Sequence, residues 1–126
     1  MPTAQVPPDA LSDTLSARDW HRRVVGSPGK PCAVCGTRRA TEGHHVVTRQ
    51  QLRRIARGWG IDPRALIYSE AAGIALCQRC HARHTSATQR IPLSKLSPAN
   101  LRFADALGLR WWIERFYPTP EGAHDG

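Results

Sequence analysis

The sequence lacks an apolar run long enough to cross a membrane, and its Pro-rich first ten residues carry neither a basic nor an apolar block. We therefore expect no membrane span, no signal peptide and a cytoplasmic location. Aromatic residues are also scarce, at 6% of 126 residues. Because so short a chain with few large side chains buries little apolar area, we expect one domain that needs a metal ion for stability.

No cysteine stands alone in this sequence. The four cysteines form two C-x-x-C pairs, Cys32 with Cys35 and Cys77 with Cys80, and 41 residues separate the pairs. Four thiolates grouped in this way match the ligand set of a closed tetrahedral zinc site. Since disulfides are rare in a reducing cytosol, we interpret the cysteines as ligands of a structural zinc. The long spacing predicts that the chain between the pairs has structure of its own.

Lysine is nearly absent, although the chain is strongly basic. The net charge is +8, and sixteen of the 18 basic residues are arginines. Between Arg18 and Lys95 the excess is larger, with fifteen basic residues against four acidic ones. Because arginine contacts phosphate groups in a bidentate manner, this excess predicts a polyanionic partner such as a nucleic acid. A solvated basic surface is the alternative interpretation.

The distribution of prolines and of periodic segments divides the chain into an arm, a domain and a tail. Residues 1–15 have no periodicity and predict a disordered N-terminal arm. Residues 16–117 predict a single domain, in which 32–88 form the core and 97–117 supply C-terminal helices. Residues 118–126 predict a disordered tail.

Short elements are predicted between and after the cysteine pairs. The β-branched run Val46-Val47-Thr48 predicts a strand, Gly73 to Leu76 predict a second one, and Gln78 to Thr88 predict a helix. Another helix is predicted by an apolar stripe at helical spacing, made of Leu52, Ile55, Ala56 and Trp59. Its other face carries four arginines: Arg49, Arg53, Arg54 and Arg57. This face either contacts phosphates or is an ordinary solvated surface.

Histidines accompany the cysteines in both halves of this pattern. His44 and His45 follow the first pair, and His81 directly follows Cys80, with His84 one helical turn later. On a helix, His81 is rotated about 100° from Cys80, so the cysteine can face a zinc ion while the histidine faces a second metal. An activated water and a Lewis acid are what phosphodiester hydrolysis requires. The histidines and the basic charge together therefore predict a metal-dependent nuclease.

Taken together, Cys-x-x-Cys, His-His-Val and Leu-Cys-x-x-Cys-His-x-x-His resemble the HNH endonuclease family in its zinc-stabilised form, over roughly residues 32–88. The Arg-rich flanks are similar to those of small HNH proteins of bacteriophages. The resemblance implies an α+β fold, in which a zinc-stabilised ββα-metal core carries peripheral helices. It also implies double-stranded DNA as substrate and Mg²⁺, Mn²⁺ or Zn²⁺ as the catalytic ion. For a phage-encoded protein it implies a place in the host cytoplasm and a role beside the terminase.

The resemblance assigns roles to the histidines. It makes His45 the general base, because a neutral imidazole titrates near the working pH, and it makes His44 and His81 ligands of the catalytic metal. His84 is either a further ligand of that metal or a group that contacts phosphate or orients a ligand. Adjacent residues of a strand point to opposite faces, so His44 and His45 reach one cleft only if the strand bends. The predicted DNA contacts are Arg49, Arg53, Arg54, Arg57, Arg79 and Arg83.

One position departs from the family pattern. About five residues before the second cysteine pair the family has an asparagine that bonds backbone groups and holds the base in place, whereas this chain has Ala72. Gln78, Ser69 or Glu70 are the nearby substitutes. The departure leaves a second interpretation open, a zinc-knuckle DNA-binding module without catalytic activity. A homing or restriction enzyme fits less well, because the chain has no room for a separate specificity domain.

Overall fold

The computed structural model describes residues 14–86 and 90–119. These residues form a small α+β protein with six α-helices and one antiparallel sheet of two strands. In chain order the elements are α1 (Ala17–Val25), β1 (Glu42–His45), α2 (Arg49–Trp59), α3 (Arg64–Ile67), β2 (Gly73–Leu76), α4 (Gln78–Thr85), α5 (Pro98–Ala106) and α6 (Arg110–Phe116). No helix in the described ranges is long and apolar enough to cross a membrane. Of the predicted arm and tail, only residues 14–15 and 118–119 lie within these ranges.

The helix ends follow from local capping chemistry. Ser16 caps α1 through its hydroxyl, which accepts a hydrogen bond from the Asp19 N–H, and the helix stops at Gly26. Thr48 caps α2 in the same way, and Gly60 ends it with a left-handed φ of 68°. Helix α4 ends at Thr85. The predicted extension to Thr88 falls partly on residues 87–89, outside the described ranges.

The two strands pair antiparallel from Glu42 opposite Leu76 to His45 opposite Gly73. The first strand therefore contains the histidine pair itself, and the prediction of a strand at Val46-Val47-Thr48 is wrong. Val46 and Val47 are both completely buried. Successive side chains of a strand point to opposite faces, so two consecutive residues that enter the same core do not fit a strand. Burial of both valines in the core therefore outweighs their β propensity.

Alternation along the strands gives this hairpin two different faces. One, which we name the α1 face, is formed by Gly43, His45, Gly73 and Ala75. The other, which we name the α4 face, is formed by Glu42, His44, Ile74 and Leu76. Helix α1 lies so close to its face that a Cβ atom on Gly43 would come within 2.9 Å of Trp20, and one on Gly73 within 2.5 Å of Val24. Glycine at these two positions is what allows the helix to pack there.

The main hydrophobic core lies on the other side of the hairpin and extends to the C-terminal helices. Its largest fully buried side chains are Tyr117, Leu52, Leu66, Leu76, Ile113, Val46 and Val47. Three of the four cysteines, Cys32, Cys77 and Cys80, belong to the same cluster. Each fully buried side chain of this size contributes roughly 1.5–3 kcal/mol. The C-terminal helices α5 and α6 therefore pack against the same core as the hairpin.

Candidate functional site

The two C-x-x-C pairs meet in one cluster. The four sulfur atoms all lie within 4.8 Å of one another, and those of Cys35 and Cys77 are 3.9 Å apart. Zinc–sulfur bonds of about 2.3 Å in a tetrahedron separate the sulfurs by about 3.8 Å, whereas a disulfide needs about 2.05 Å. All four are free thiols. Their chemistry and spacing fit a closed site that could hold a structural zinc.

Backbone turns bring these sulfurs together. Gly36, with a φ of 68°, donates its N–H to the Cys32 carbonyl over 2.9 Å and so closes the first turn. The Ala33 N–H donates to the Ala75 carbonyl over 2.9 Å, which attaches this turn to β2. At the end of β2, the Cys77 sulfur caps α4 by accepting from the Cys80 N–H. The ligand positions are therefore set by local backbone geometry.

The surroundings shift the pKa values of the cysteine thiols in different directions. The hydroxyl and N–H of Thr37 lower the pKa of Cys35 to about 5, whereas burial raises the pKa of Cys80 to about 12. For Cys32, burial acts to raise the pKa, but backbone N–H donors including those of Cys35 and Cys77 outweigh it and lower the pKa. Since zinc binds thiolates, its binding would be coupled to release of the Cys80 proton.

Three histidines form a second cluster on the α4 face. His44 comes from β1, and its ring centroid lies 4.7 Å from that of His84 and 5.6 Å from that of His81. The two partners are three residues apart on α4 and so share one side of the helix. His81 Nδ1 lies 3.9 Å from a carboxylate oxygen of Glu42. A carboxylate beside one ring nitrogen is a common way to orient an imidazole that binds metal through the other.

Burial favours the neutral form of two rings in this cluster, those of His44 and His84. Burial, followed by the charges of His84 and His81, lowers the pKa of His44 to about 3. Burial also lowers the pKa of His84, whose Nδ1 is buried without a hydrogen-bond partner among the described residues. A neutral imidazole keeps a lone pair that can bind a metal ion.

The histidine cluster is looser than the cysteine cluster. Among the described residues, only the four cysteines form a group of three or more potential metal ligands whose binding atoms all lie within 4.8 Å of one another. The histidine nitrogens are therefore spread more widely.

His45 lies apart from the other three histidines, on the α1 face. Its ring stacks on Trp20, with centroids 4.2 Å apart and planes 7° from parallel, and its Nε2 is 2.7 Å from the Ile67 carbonyl. Because a carbonyl only accepts hydrogen bonds, Nε2 carries the proton and Nδ1 the lone pair. Burial lowers the pKa of this histidine. The residue is a neutral, oriented base, and the described strand shows no bend that brings its ring to His44.

Asn100 is a candidate that the sequence pattern did not reveal. Its side chain is almost completely buried, at 2% exposed. The amide nitrogen donates to the carbonyls of Ala71, at 2.8 Å, and of Gly73, at 2.9 Å. These two residues flank Ala72, the position at which the family carries its asparagine. The sequence predicts C-terminal helices over residues 97–117, but nothing in it predicts contacts of Asn100 with residues 27 and 29 positions away.

The predicted DNA-binding arginines occupy two surfaces. Those of α2 are all exposed: Arg49, Arg53, Arg54 and Arg57. On α4, Arg79 is exposed and Arg83 is half-buried. Arg79 also lines an open cleft with Arg38 and Arg39, beside Cys77. Of the ion pairs found in residues 14–86 and 90–119, none uses any of the six predicted arginines. Their charges are available to a polyanion.

Comparison with known proteins returned no match, whether to a family model, a curated protein or a solved structure. The HNH resemblance therefore stays a prediction that rests on the motif residues.

Proposed function

We propose that the chain is a metal-dependent endonuclease of the HNH type, which hydrolyses phosphodiester bonds in double-stranded DNA. The observation that supports this most is the convergence of His44, from a strand, with His81 and His84, from the following helix. A module that only binds DNA does not require three imidazoles on one side of a hairpin next to a cysteine cluster. In this proposal they hold one divalent ion, and the cysteines hold a structural zinc.

The remaining residues have distinct tasks in this proposal. The divalent ion supplies a Lewis acid for the scissile phosphate. His45 accepts the proton of the attacking water at Nδ1, because the Ile67 carbonyl fixes the proton at Nε2. Asn100 holds the carbonyl groups of Ala71 and Gly73, and Gly73 pairs with His45 across the hairpin. The exposed arginines of α2 bind the phosphates on either side.

A second candidate function is a DNA-binding module that has lost its chemistry. Two observations favour it: Ala72 stands at the family asparagine position, and the ring of His45 lies on the face opposite to His44. In this alternative the cysteine cluster and the arginines keep their tasks, and the histidines on the α4 face only pack.

A plasmid-nicking assay separates the two functions. Zinc-loaded protein is incubated with supercoiled plasmid in Mg²⁺, Mn²⁺ or added Zn²⁺, with His81→Ala as the matched control. We expect open-circular product with at least one ion and none with the variant. A folded, zinc-loaded wild type that shifts the plasmid in a gel but cuts it in no metal would overturn the nuclease proposal and support the binding module.

A further inference from the structure

A cleft of about 370 Å³ opens between the start of α2, the end of α4 and α6. His84 lines it and also belongs to the histidine cluster, so the cleft lies next to the proposed cutting site. Its volume is at the small end of the range for ligand pockets, which is enough for one nucleotide but not for several. Among the described residues that line the cleft there is no cysteine and no residue of β1 or β2.

One wall of this cleft is aromatic. Trp112 and Phe116 both line it, with ring centroids 4.5 Å apart. Both rings are only partly buried, although each packs against the core. Aromatic rings that remain partly exposed at a cleft offer the surface on which nucleobases stack, whatever the base.

The rest of the lining is cationic or hydrogen-bonding. Arg54 and Arg90 contribute two guanidinium groups, and Arg90 lies 5.8 Å from the centroid of the Phe116 ring. Gln50, Gln51 and Thr48 also line the cleft, and none of the described residues that line it carries a carboxylate. Arginines beside aromatic rings match a ligand that has an aromatic base flanked by phosphates.

We propose that this cleft binds one unpaired nucleotide of a DNA strand, with its base against Trp112 and the adjacent phosphates on Arg54 and Arg90. A base within a duplex is stacked between its neighbours and cannot enter such a cleft without being extruded. The inference deepens the proposed function, on which it rests for its relation to cutting, by naming the substrate class. That class is DNA with a single-stranded segment, such as a flap, a gap or a bubble.

The test measures binding without cutting. A fluorescently labelled oligothymidine single strand and a labelled blunt duplex are titrated with protein in the absence of added divalent metal, and anisotropy reports both Kd values. Since stacking contributes about 1–3 kcal/mol per base, Trp112→Ala should weaken single-strand binding about tenfold and change duplex binding little. The matched control is Trp111→Ala, because Trp111 is its neighbour on α6, is 58% exposed and does not line the cleft.

A second pair of variants keeps the proposal testable if Trp112→Ala fails to fold. Arg90 and Arg115 each lie 5.8 Å from the centroid of the Phe116 ring, but only Arg90 lines the cleft. Arg90→Gln should therefore weaken single-strand binding more than Arg115→Gln.

Three results would overturn the inference. The first is an equal loss of single-strand affinity in Arg90→Gln and Arg115→Gln. The second is an unchanged single-strand Kd for folded Trp112→Ala. The third is a change in the oligomeric state of the protein on Trp112→Ala, which would show that a second copy fills the cleft. Single-strand binding that depends on Trp112, in a protein that nicks nothing, would support the inference while the proposed nuclease function failed.

Discussion

The cysteine cluster and the histidine cluster are built in different ways. Cys32 and Cys35 lie on one short backbone turn and Cys77 and Cys80 at the start of α4, and their four sulfurs all lie within 4.8 Å of one another. The histidines lie on a strand and on a helix, and their ring centroids are up to 5.6 Å from that of His44. Structural zinc sites are closed, whereas catalytic sites keep a position open for water or substrate. The difference in compactness is consistent with the proposed function, in which the cysteines hold a structural zinc and the histidines a catalytic ion.

The two clusters are nevertheless connected through α4. Cys80 and His81 are neighbours on this helix, and Cys77 caps it. Loss of the cysteine cluster should therefore disturb the histidines, whereas loss of a histidine should leave the cysteines intact. The predictions below test this asymmetry, from the largest expected effect to the smallest.

The largest effect is expected from Cys77→Ser. The wild type should contain about one zinc per chain, and the variant should lose the ion and unfold. Structural zinc binding is worth about 10–16 kcal/mol in small peptides, as much as the whole stability of an ordinary domain. Metal analysis and circular dichroism measure both effects, and His44→Ala serves as the control that should keep its zinc. A Cys77→Ser protein that folds without zinc would show that the cluster is not structural.

The next largest effect separates His44 from His45. Both alanine variants should keep their zinc and lose nicking, and His45→Ala should lower the rate by about 10²–10⁴. His44→Ala should recover partly at high divalent metal concentration, because it lacks only a ligand, and His45→Ala should not recover. Rates measured across a metal titration distinguish the two. Normal nicking by His45→Ala would show that the base lies elsewhere.

A smaller effect is expected from Asn100→Ala. The carbonyls of Ala71 and Gly73 lose their donor, so stability should fall by about 1–3 kcal/mol and nicking should fall beyond what unfolding explains. Asn100→Asp is the matched variant, since it keeps an oxygen for the Ser97 N–H but cannot donate to the carbonyls. Denaturant titration measures the stability of both variants, and the plasmid assay measures their nicking rates. If Asn100→Ala cuts at the wild-type rate per folded molecule, then Asn100 serves only to attach α5 to Ala71 and Gly73.

The least drastic effect concerns the arginines outside both clusters. Changing Arg49, Arg53 and Arg57 together to glutamine should leave folding and zinc unchanged but weaken duplex binding. The slope of log K against log salt should become shallower by about 0.9 for each lost phosphate contact. Arg64→Gln is the control, because Arg64 already pairs with Asp62. An unchanged salt slope in the triple variant would mean that α2 is only a scaffold.

Residue spacing predicted the parts of the structure that depend on local chemistry. The four-cysteine cluster follows from the two C-x-x-C pairs, and α2 follows from the apolar stripe of Leu52, Ile55, Ala56 and Trp59. The β-branched run at Val46 and Val47 was misleading, because both side chains are needed in the core. The β propensity of a residue does not reveal whether its side chain will be needed in the hydrophobic core.

Tertiary contacts decided the remaining features of the site. The position of His45 depends on Trp20, which stacks on it from a helix more than twenty residues earlier in the chain. The family pattern has its asparagine at the position of Ala72, whereas Asn100 reaches that segment from α5. Ala72 is itself completely buried, so introducing asparagine there would overpack the site rather than restore it.

The hydrogen bonds of Asn100 also determine how far the protein can be shortened. The motif ends near residue 88, which suggests a minimal fragment that stops there. Such a fragment would lose the donor to Ala71 and Gly73, and with it Tyr117, whose hydroxyl donates to the Val46 carbonyl beside the histidine pair. We therefore expect the smallest unit that folds to be larger than the motif and to extend through Tyr117.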